Sequence, residues 1–397
     1  MHVFVRQEHG RGRRQGVAEE SLPPAAGPGI RGAGGGLAAQ GEEESDPAVK
    51  RNDPSPGCLR DLGEFGFIEH VKRRFGGPAR PGEVGIGDDG AVLRSPPGKV
   101  VLSTDLLVEG THFDLRYFLP QELGWRALMA NLSDLAAMGA SPVCYLVALA
   151  APPDTPLPFL DGVFRGMSSA ARLSGIRLVG GDTCRGEKIV LSLTVMGKVA
   201  SRRVVRRTGA RPGDLLFVTG EPGWSRLGLR LLAGGRPRDP KGWRREAMRR
   251  HLCPVARWRE GTLAARCGAV SAMIDLSDGL LPDLSHLLER GGMGAVLDER
   301  AFRISARFRK AASELREDPV AAFLAGGEDY ELLMSVRPQR YEAFRRAARR
   351  FPAGAFPIGV VTKGAGVRLR RADGSWTEGA GLPAGFRHFA AGGGRAS

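Results

Sequence analysis

The stretch Gly85-Ile86-Gly87-Asp88-Asp89-Gly90-Ala91-Val92-Leu93 most constrains what this chain can become. Two adjacent carboxylates sit between glycines and run into an apolar, strand-like segment. Glycine permits tight and left-handed turns and leaves room for a ligand to come close. Side-by-side aspartates repel, so the pair is costly without a cation or a solvated loop. Similar acidic positions recur after apolar runs or in helix-like segments. They are Asp105 in Ser103-Thr104-Asp105, Asp134 in Asn131-Leu132-Ser133-Asp134, Asp182 in Gly180-Gly181-Asp182-Thr183, and Asp275 with Asp278 in Ile274-Asp275-Leu276-Ser277-Asp278-Gly279. Rigidly placed oxygen ligands suit Mg²⁺, with phosphates completing its shell.

Taken singly, each position has an ordinary reading. Asp88-Asp89 is a solvated turn, Ser103 to Asp105 is local hydrogen bonding at a strand end, Asp134 lies on a polar helix face, Asp278 is an N-cap, and Gly181-Asp182 is a plain turn. Their recurrence in one chain tips the balance towards a polynuclear Mg²⁺–phosphate site. Gly326-Gly327-Glu328-Asp329-Tyr330 is sharper alone, because two glycines before two carboxylates suit the close approach of a ligand. His112 has no sequence neighbour that would make a metal or nucleophile arrangement, and both a surface role and a substrate contact stay open.

At 397 residues the chain is long for one core. Residues 1–57 carry little apolar periodicity and read as a disordered extension. Residues 58–205 and 206–397 read as two domains, divided at the Arg206–Asp214 junction. The net charge of +15 does not come from the extension, whose own balance is −1. Arginine-rich runs such as Arg244–Arg250 suit solvated faces and attraction of anionic substrates. They are not interleaved with stacking aromatics, so nucleic acid is not the expected partner. Five cysteines without a Cys-x-x-Cys pair fit a reducing cytoplasm. No apolar run suits a membrane span or a signal core, so neither a membrane location nor export is expected.

Periodicity predicts a helix near residues 59–75 and a strand over Val100–Leu102 whose end delivers Ser103, Thr104 and Asp105. It also predicts a helix opened by Pro120, a strand over Val143–Ala150 and a helix over 159–174. Strands follow at Leu215–Thr219, Ala269–Ile274 and Leu332–Val336. Asp278 is placed to cap the helix carrying Leu281, Leu284 and Leu288. No P-loop, dinucleotide fingerprint or nucleophile elbow is present. ATP chemistry on this chain would therefore run through carboxylate-held metals.

Taken in order, these motifs, with Asn131 to Ala140 and Gly63-Glu64-Phe65, resemble the thiamine-monophosphate kinase family over roughly residues 60–390. The resemblance implies the α/β, two-domain fold shared with aminoimidazole ribonucleotide synthetase. In that fold the N-terminal sheet pairs across a homodimer, and a C-terminal α/β domain follows. It implies ATP-dependent conversion of thiamine monophosphate to thiamine diphosphate with Mg²⁺. By the same resemblance Asp89, Ser103, Thr104, Asp105, Asp134, Asp182, Asp275 and Asp278 are metal ligands, with Asp105 and Asp278 central to catalysis. Gly181, Arg207, Ser277 and Phe164 are ATP contacts, and His112, Glu328 and Phe386 are substrate contacts. Phe164 stands where the family often has a tyrosine. Gly223-Trp224-Ser225-Arg226 replaces a smaller, acidic turn. The alternatives are another ATP-dependent synthetase of the superfamily, acting on selenophosphate or aminoimidazole ribonucleotide chemistry, and a non-catalytic nucleotide or nucleic-acid binder.

Overall fold

The computed structural model describes residues 57–78, 80–94, 98–199 and 204–383. The expected extension falls almost wholly outside these residues, and so does Phe386.

The first half is a four-stranded sheet covered by helices. Helix α1 (Leu59–Phe75) breaks its helical geometry at Gly63, whose φ is 64°, and buries Phe67 and Val71. Strand β1 (Lys99–Val108) follows, then helix α2 (Pro120–Ala137) with proline in its first turn, and strand β2 (Ser141–Ala151). Helix α3 (Leu157–Ser174) is stopped by Gly175 in the left-handed region. Strands β3 (Arg177–Arg185) and β4 (Val190–Val199) complete the sheet, in the order β1-β4-β2-β3. Only β2 and β3 pair in parallel.

Two expectations change here. Ser103 to Asp105 lie in the middle of β1, and Gly180 to Thr183 lie inside β3. Backbone pairing explains both. β1 keeps an unbroken antiparallel ladder with β4 from Lys99 to Val108, and β3 follows β2 to Arg185, so neither motif is released as a turn.

Alternation sorts the sheet's faces. Val101, Leu107, Val147, Leu149, Leu191, Leu193 and Val195 point inward and are buried. Leu102, Leu106 and Leu146 point outward and are 66%, 52% and 39% exposed. Helix α2 lies on the inner face, with Leu123, Leu128, Leu132 and Leu135 fully buried. Each such leucine contributes roughly 1.5–3 kcal/mol of burial.

The second half is a seven-stranded mixed sheet in the order β11-β10-β7-β9-β5-β8-β6. Its elements along the chain are β5 (Leu215–Thr219), α4 (Trp224–Ala233), α5 (Trp243–Leu252), α6 (Trp258–Cys267), β6 (Val270–Asp275), α7 (Leu280–Leu288) and β7 (Met293–Asp298). They continue with α8 (Ala306–Glu314), α9 (Pro319–Ala325), β8 (Leu332–Val336), α10 (Tyr341–Ala348), β9 (Ala355–Lys363), β10 (Gly366–Arg370) and β11 (Trp376–Glu378). One face packs Leu280, Leu284 and Phe323 against Leu216, Ala272 and Ile358. On the other, Phe217, Met273, Met334 and Phe344 join the hydrophobic cluster that contains α2 and the first sheet. One core therefore runs between the two sheets. Among the described residues no helix is long and apolar enough to cross a membrane.

Helix α2 lies against α3 with almost no gap. A Cβ added at Gly124 would collide with the Val163 carbonyl, and one at Gly166 with the Gln121 carbonyl. Each wall is backbone and cannot swing away. We therefore expect Gly124→Ala and Gly166→Ala each to cost about 1–3 kcal/mol, by pushing the helices apart. Denaturant unfolding checks this, and a midpoint equal to that of the parent chain would contradict it.

Candidate active site

Helix α2 turns a row of polar groups towards both sheets. Asn131 Oδ1 accepts the Asp105 N–H at 3.1 Å, while its Nδ2 donates to the Ala127 carbonyl at 2.9 Å. Asp134 accepts a short hydrogen bond from Ser103 Oγ. Ser133 Oγ donates to Asp275 Oδ2 at 2.7 Å. Asp105 on β1, Asp134 on α2 and Asp275 at the end of β6 thus share one neighbourhood.

Electrostatics agree with that placement. Burial, and then the charge of Asp134, push Asp105 up to about 7. Burial raises Asp134 against the opposing Ser103 hydrogen bond. Asp275 is raised well above the usual range by burial and then Asp134, with Asp283 and Asp105 adding to the effect and the Ser133 hydroxyl opposing it. Carboxylates that hold protons this tightly are short of positive charge. The donors are oxygens, which suits a hard cation. Among the described residues no three acidic, histidine or cysteine side chains form a ready-made metal cage. Mg²⁺ does not require one, because it is held by one or two carboxylates together with water and substrate phosphates. The residues fit that ion in its nucleotide-bound form.

The loop after β6 corrects the expected role of Asp278. The residue before α7 is Gly279, with φ 121°, and no side chain caps the helix there. Instead Asp283, inside α7, turns back, and its Oδ2 accepts the N–H groups of Ser277, Asp278 and Gly279 at 3.1, 3.2 and 3.2 Å. The backbone donors are thereby satisfied from within the helix, and Asp278 takes no part in capping. Burial, then Asp278, push Asp283 up to about 7, against those three hydrogen bonds. Sequence reading missed Asp283. Its only signal was an acidic residue in the first turn of a helix.

Gly326 to Tyr330 close over this loop. A Cβ at Gly327 would stand 2.6 Å from the Ser277 carbonyl, so this glycine is required by close approach. Glu328 and Tyr330 adopt φ of 62° and 53°, unusual for residues other than glycine. The Glu328 N–H donates to the Ser277 carbonyl at 2.7 Å. Three acids within four residues then take separate partners. Glu328 pairs with Arg126 of α2. Asp329 accepts the N–H groups of Gly223 and Ser225 at 2.6 and 2.9 Å, tying down the start of α4. Glu331 is fully buried and accepts from Arg257 Nε at 2.7 Å and Thr219 Oγ1 at 2.6 Å. Burial would raise Glu328, but Arg126, helped by His251 and His112, holds it below the usual carboxylate range. Burial, then Arg126, push His251 down to about 3. His112 Nδ1 accepts the Val108 N–H at 3.1 Å, and its ring lies within electrostatic reach of Glu328. Two of the sequence-predicted substrate residues therefore face a common region.

Other predicted residues lie apart. Thr104 points to the opposite face from Ser103 and Asp105, donating to the Leu193 carbonyl at 3.0 Å. The cross-strand row Asp105, Leu193, Val147 and Gly181 spans all four strands. At three strand spacings it separates Asp105 from Gly181 and its neighbour Asp182 by roughly 14 Å. Asp182 also lies on the outer, exposed face. Asp89 stands in an exposed loop, where its N–H donates to Asp88 Oδ1 at 2.9 Å. Arg207 is exposed ahead of β5, and Ser277 is exposed on the Asp278 loop. Phe164 is enclosed, with its ring 5.5 Å from Phe75 and 6.0 Å from Phe67. Trp224 turns into a satellite core against Phe308, and its Nε1 donates to Glu221 at 2.7 Å, so its bulk stays out of the acidic neighbourhood.

The raised carboxylates set a pH dependence. Asp105 takes its proton near 7 when folded, against an ordinary value of 3.8. Between those limits the folded state binds the extra proton, so stability falls as pH rises through the window. In EDTA, the melting temperature should fall from pH 5 to pH 8. Asp105→Asn should flatten the fall, and saturating Mg²⁺ with ATP should oppose it. A melting temperature that rises with pH in EDTA would contradict the buried-carboxylate account.

Two family profiles match in succession: AIR synthase related protein, N-terminal domain, over residues 87–199, and AIR synthase related protein, C-terminal domain, over residues 211–371. The thiamine-monophosphate kinase of Corynebacterium glutamicum is 36% identical over 322 residues, covering 80% of this chain and 91% of the relative. That of Aquifex aeolicus is 33% identical over 331 residues, covering 83% and 99%. Among solved structures, AaThiL complexed with AMPPCP and TMP superposes with a TM-score of 0.65 at 33% identity, covering 83% of this chain and 98% of that one. The hydrogenase maturation protein HypE in complex with ATP, at 22% identity and a TM-score of 0.66 over 81% and 96%, shares the fold. The acidic neighbourhood, the two-sheet architecture and these likenesses agree, and the chain belongs to the thiamine-monophosphate kinase family within the AIR synthase related proteins.

Proposed function

We propose that this chain transfers the γ-phosphoryl group of ATP to the phosphate of thiamine monophosphate, giving ADP and thiamine diphosphate. The observation that carries the reading is the meeting of Asp105, Asp134 and Asp275, from three different elements, beside a loop that presents Glu328. The acceptor is itself anionic, so charge is the obstacle. Mg²⁺ bound with ATP would supply the positive charge that lets the two sets of phosphates approach. Asp105, Asp134, Asp275 and Asp278 would hold it, with Ser103 and Asn131 fixing their approach. A phosphate oxygen is a competent nucleophile near neutral pH, so the protein's work is to position it, and transfer is direct and in line. Arg207, Ser277 and Gly181 are assigned to the nucleotide, and His112, Glu328 and Phe386 to the acceptor. Phe164 then serves that site only by packing. We read residues 58–205 as the nucleotide-binding and dimerisation domain, residues 206–397 as the C-terminal domain, and the cytoplasm as the location.

The same reading calls for a homodimer. Leu102, Leu106 and Leu146 share one outward face with Thr104 and Asp182, and burial of such a face is what a second copy supplies. It also answers the separation of Asp182 from Asp105, because a partner's β3 can bring its own Asp182 to the site. Thr104 and Asp182, and Asp89 on its loop, are metal ligands only in that arrangement.

Incubation with ATP, Mg²⁺ and thiamine monophosphate should yield ADP and thiamine diphosphate in equal amounts on chromatography, and EDTA should stop both. ADP release at full rate without the acceptor would overturn the reading. Asp105→Asn and Asp182→Asn should each lower turnover by orders of magnitude while leaving the chain folded. Co-expressed under separate tags and purified as the mixed dimer, the two should regain activity, because one of the two symmetric sites is then intact. A mixed dimer as inactive as its parents would sink the shared site.

A further inference from the structure

We infer that Arg126 is a positioning residue for the acceptor, holding the Glu328 carboxylate in the orientation that receives it. The inference rests on the kinase reading and names a residue outside the recognised motifs. Arg126 is 1% exposed, and a buried guanidinium is costly unless paired. Its Nη1 donates to the His251 carbonyl through a short hydrogen bond. Its Nη2 meets Glu328 Oε1 as an ion pair, without the alignment of a hydrogen bond. Its guanidinium carbon stands 5.7 Å from the Phe118 ring centre and 5.9 Å from that of Tyr330. The cation is thus enclosed by aromatic faces, and its charge is directed at one carboxylate.

Glu328 needs such a partner. Its backbone is left-handed, and such a conformation persists only where surrounding contacts over-determine it. The Ser277 carbonyl fixes its N–H, and the side chain, 36% exposed, runs from the interior towards solvent. The other titratable groups facing it are His251, whose Nδ1 is 3.8 Å from Oε2 and 3.1 Å from Ser225 Oγ, together with His112, Tyr117 and Tyr330. None of these supplies a permanent positive charge, and Arg126 does. Arg126 also lies on the same buried helix as Asn131, Ser133 and Asp134. One rigid element therefore sets both the metal-side carboxylates and, through Glu328, the acceptor side. Arg126 touches no reacting atom in this account and acts only through Glu328.

The test is steady-state kinetics of the full chain carrying Arg126→Met, Arg126→Lys, Glu328→Gln and the Met/Gln double substitution, each with a melting curve. Arg126→Met should raise KM for thiamine monophosphate by about tenfold or more, with KM for ATP and the Mg²⁺ requirement held within about twofold. Arg126→Lys should recover part of the loss. The double variant should be no worse than the weaker single, since both changes remove one arrangement. A role in stability alone would lower the melting temperature and leave that selectivity absent. If Arg126→Met fails to fold, Arg126→Lys decides: a selectively raised KM supports the inference, and an unchanged KM overturns it. Multiplying effects in the double variant, or equal rises in both KM values, also overturn it. Wild-type turnover alongside any of these failures leaves the kinase reading standing. A wild-type chain that leaves thiamine monophosphate unconverted overturns both.

Discussion

The structure depends on a helix that is buried almost all round and yet carries polar side chains on purpose-built partners. α2 buries Arg126, Asn131 and Ser133 as deeply as its leucines. Each polar group is tolerated because it has a partner: Asn131 hydrogen-bonds Asp105 and Ala127, Ser133 hydrogen-bonds Asp275, and Arg126 hydrogen-bonds the His251 carbonyl and forms an ion pair with Glu328. Buried polar groups left unpaired cost roughly 1–3 kcal/mol each, so the network resists piecemeal change. Because the partners come from β1, β6 and the 326–330 loop, the helix also sets how the two sheets meet. The glycine contacts with α3 fix its position from behind. Packing and chemistry are therefore specified by the same eighteen residues.

Much of this was legible in the sequence, for identifiable reasons. β5 was readable because Leu215 to Val218 form a short apolar run closed by Gly220. α2 and α3 were readable because Pro120 opens one and Gly175 stops the other. The ends of β1 and β3 were not. Ser103 to Asp105 and Gly180 to Asp182 look like turn residues locally, and only ladder pairing with distant strands keeps them extended. Asp278 was misread as a cap for a related reason. A cap signal sees the residue before the helix, whereas the backbone donors are taken by Asp283 from within it. Arg126 and His251 left no signal, because their roles exist only where residues more than a hundred positions apart meet.

Side-chain alternation also exposes what a list of motif residues conceals. Ser103, Thr104 and Asp105 are consecutive, yet a strand sends the middle one to the other face. Placed on a map of the sheet, the predicted metal ligands divide into an inner group against α2 and an outer group on an exposed apolar face. A single protomer cannot serve both groups at one ion. In the dimer proposed above, a second copy would cover the outer face and its leucines.

The distribution of arginine separates the two kinds of acid in this chain. Glu328 and Glu331 have guanidinium partners, and Arg126 holds Glu328 below the usual carboxylate range. Asp105, Asp134 and Asp275 take no ion pair among the described residues, and burial, joined at Asp105 and Asp275 by repulsion from neighbouring aspartates, drives them towards protonation. A permanent arginine beside them would settle their charge and compete with any incoming cation. Without one, there is a deficit that protons fill at low pH and that, in the proposed reaction, a divalent ion with its nucleotide would fill at neutral pH. The chain has arginines to spare, at a net charge of +15, and the inner carboxylates go unpaired all the same. In the proposed reaction, neutralisation at this point would arrive with the substrate, so that the charge environment phosphoryl transfer requires would be complete only when the nucleotide is present.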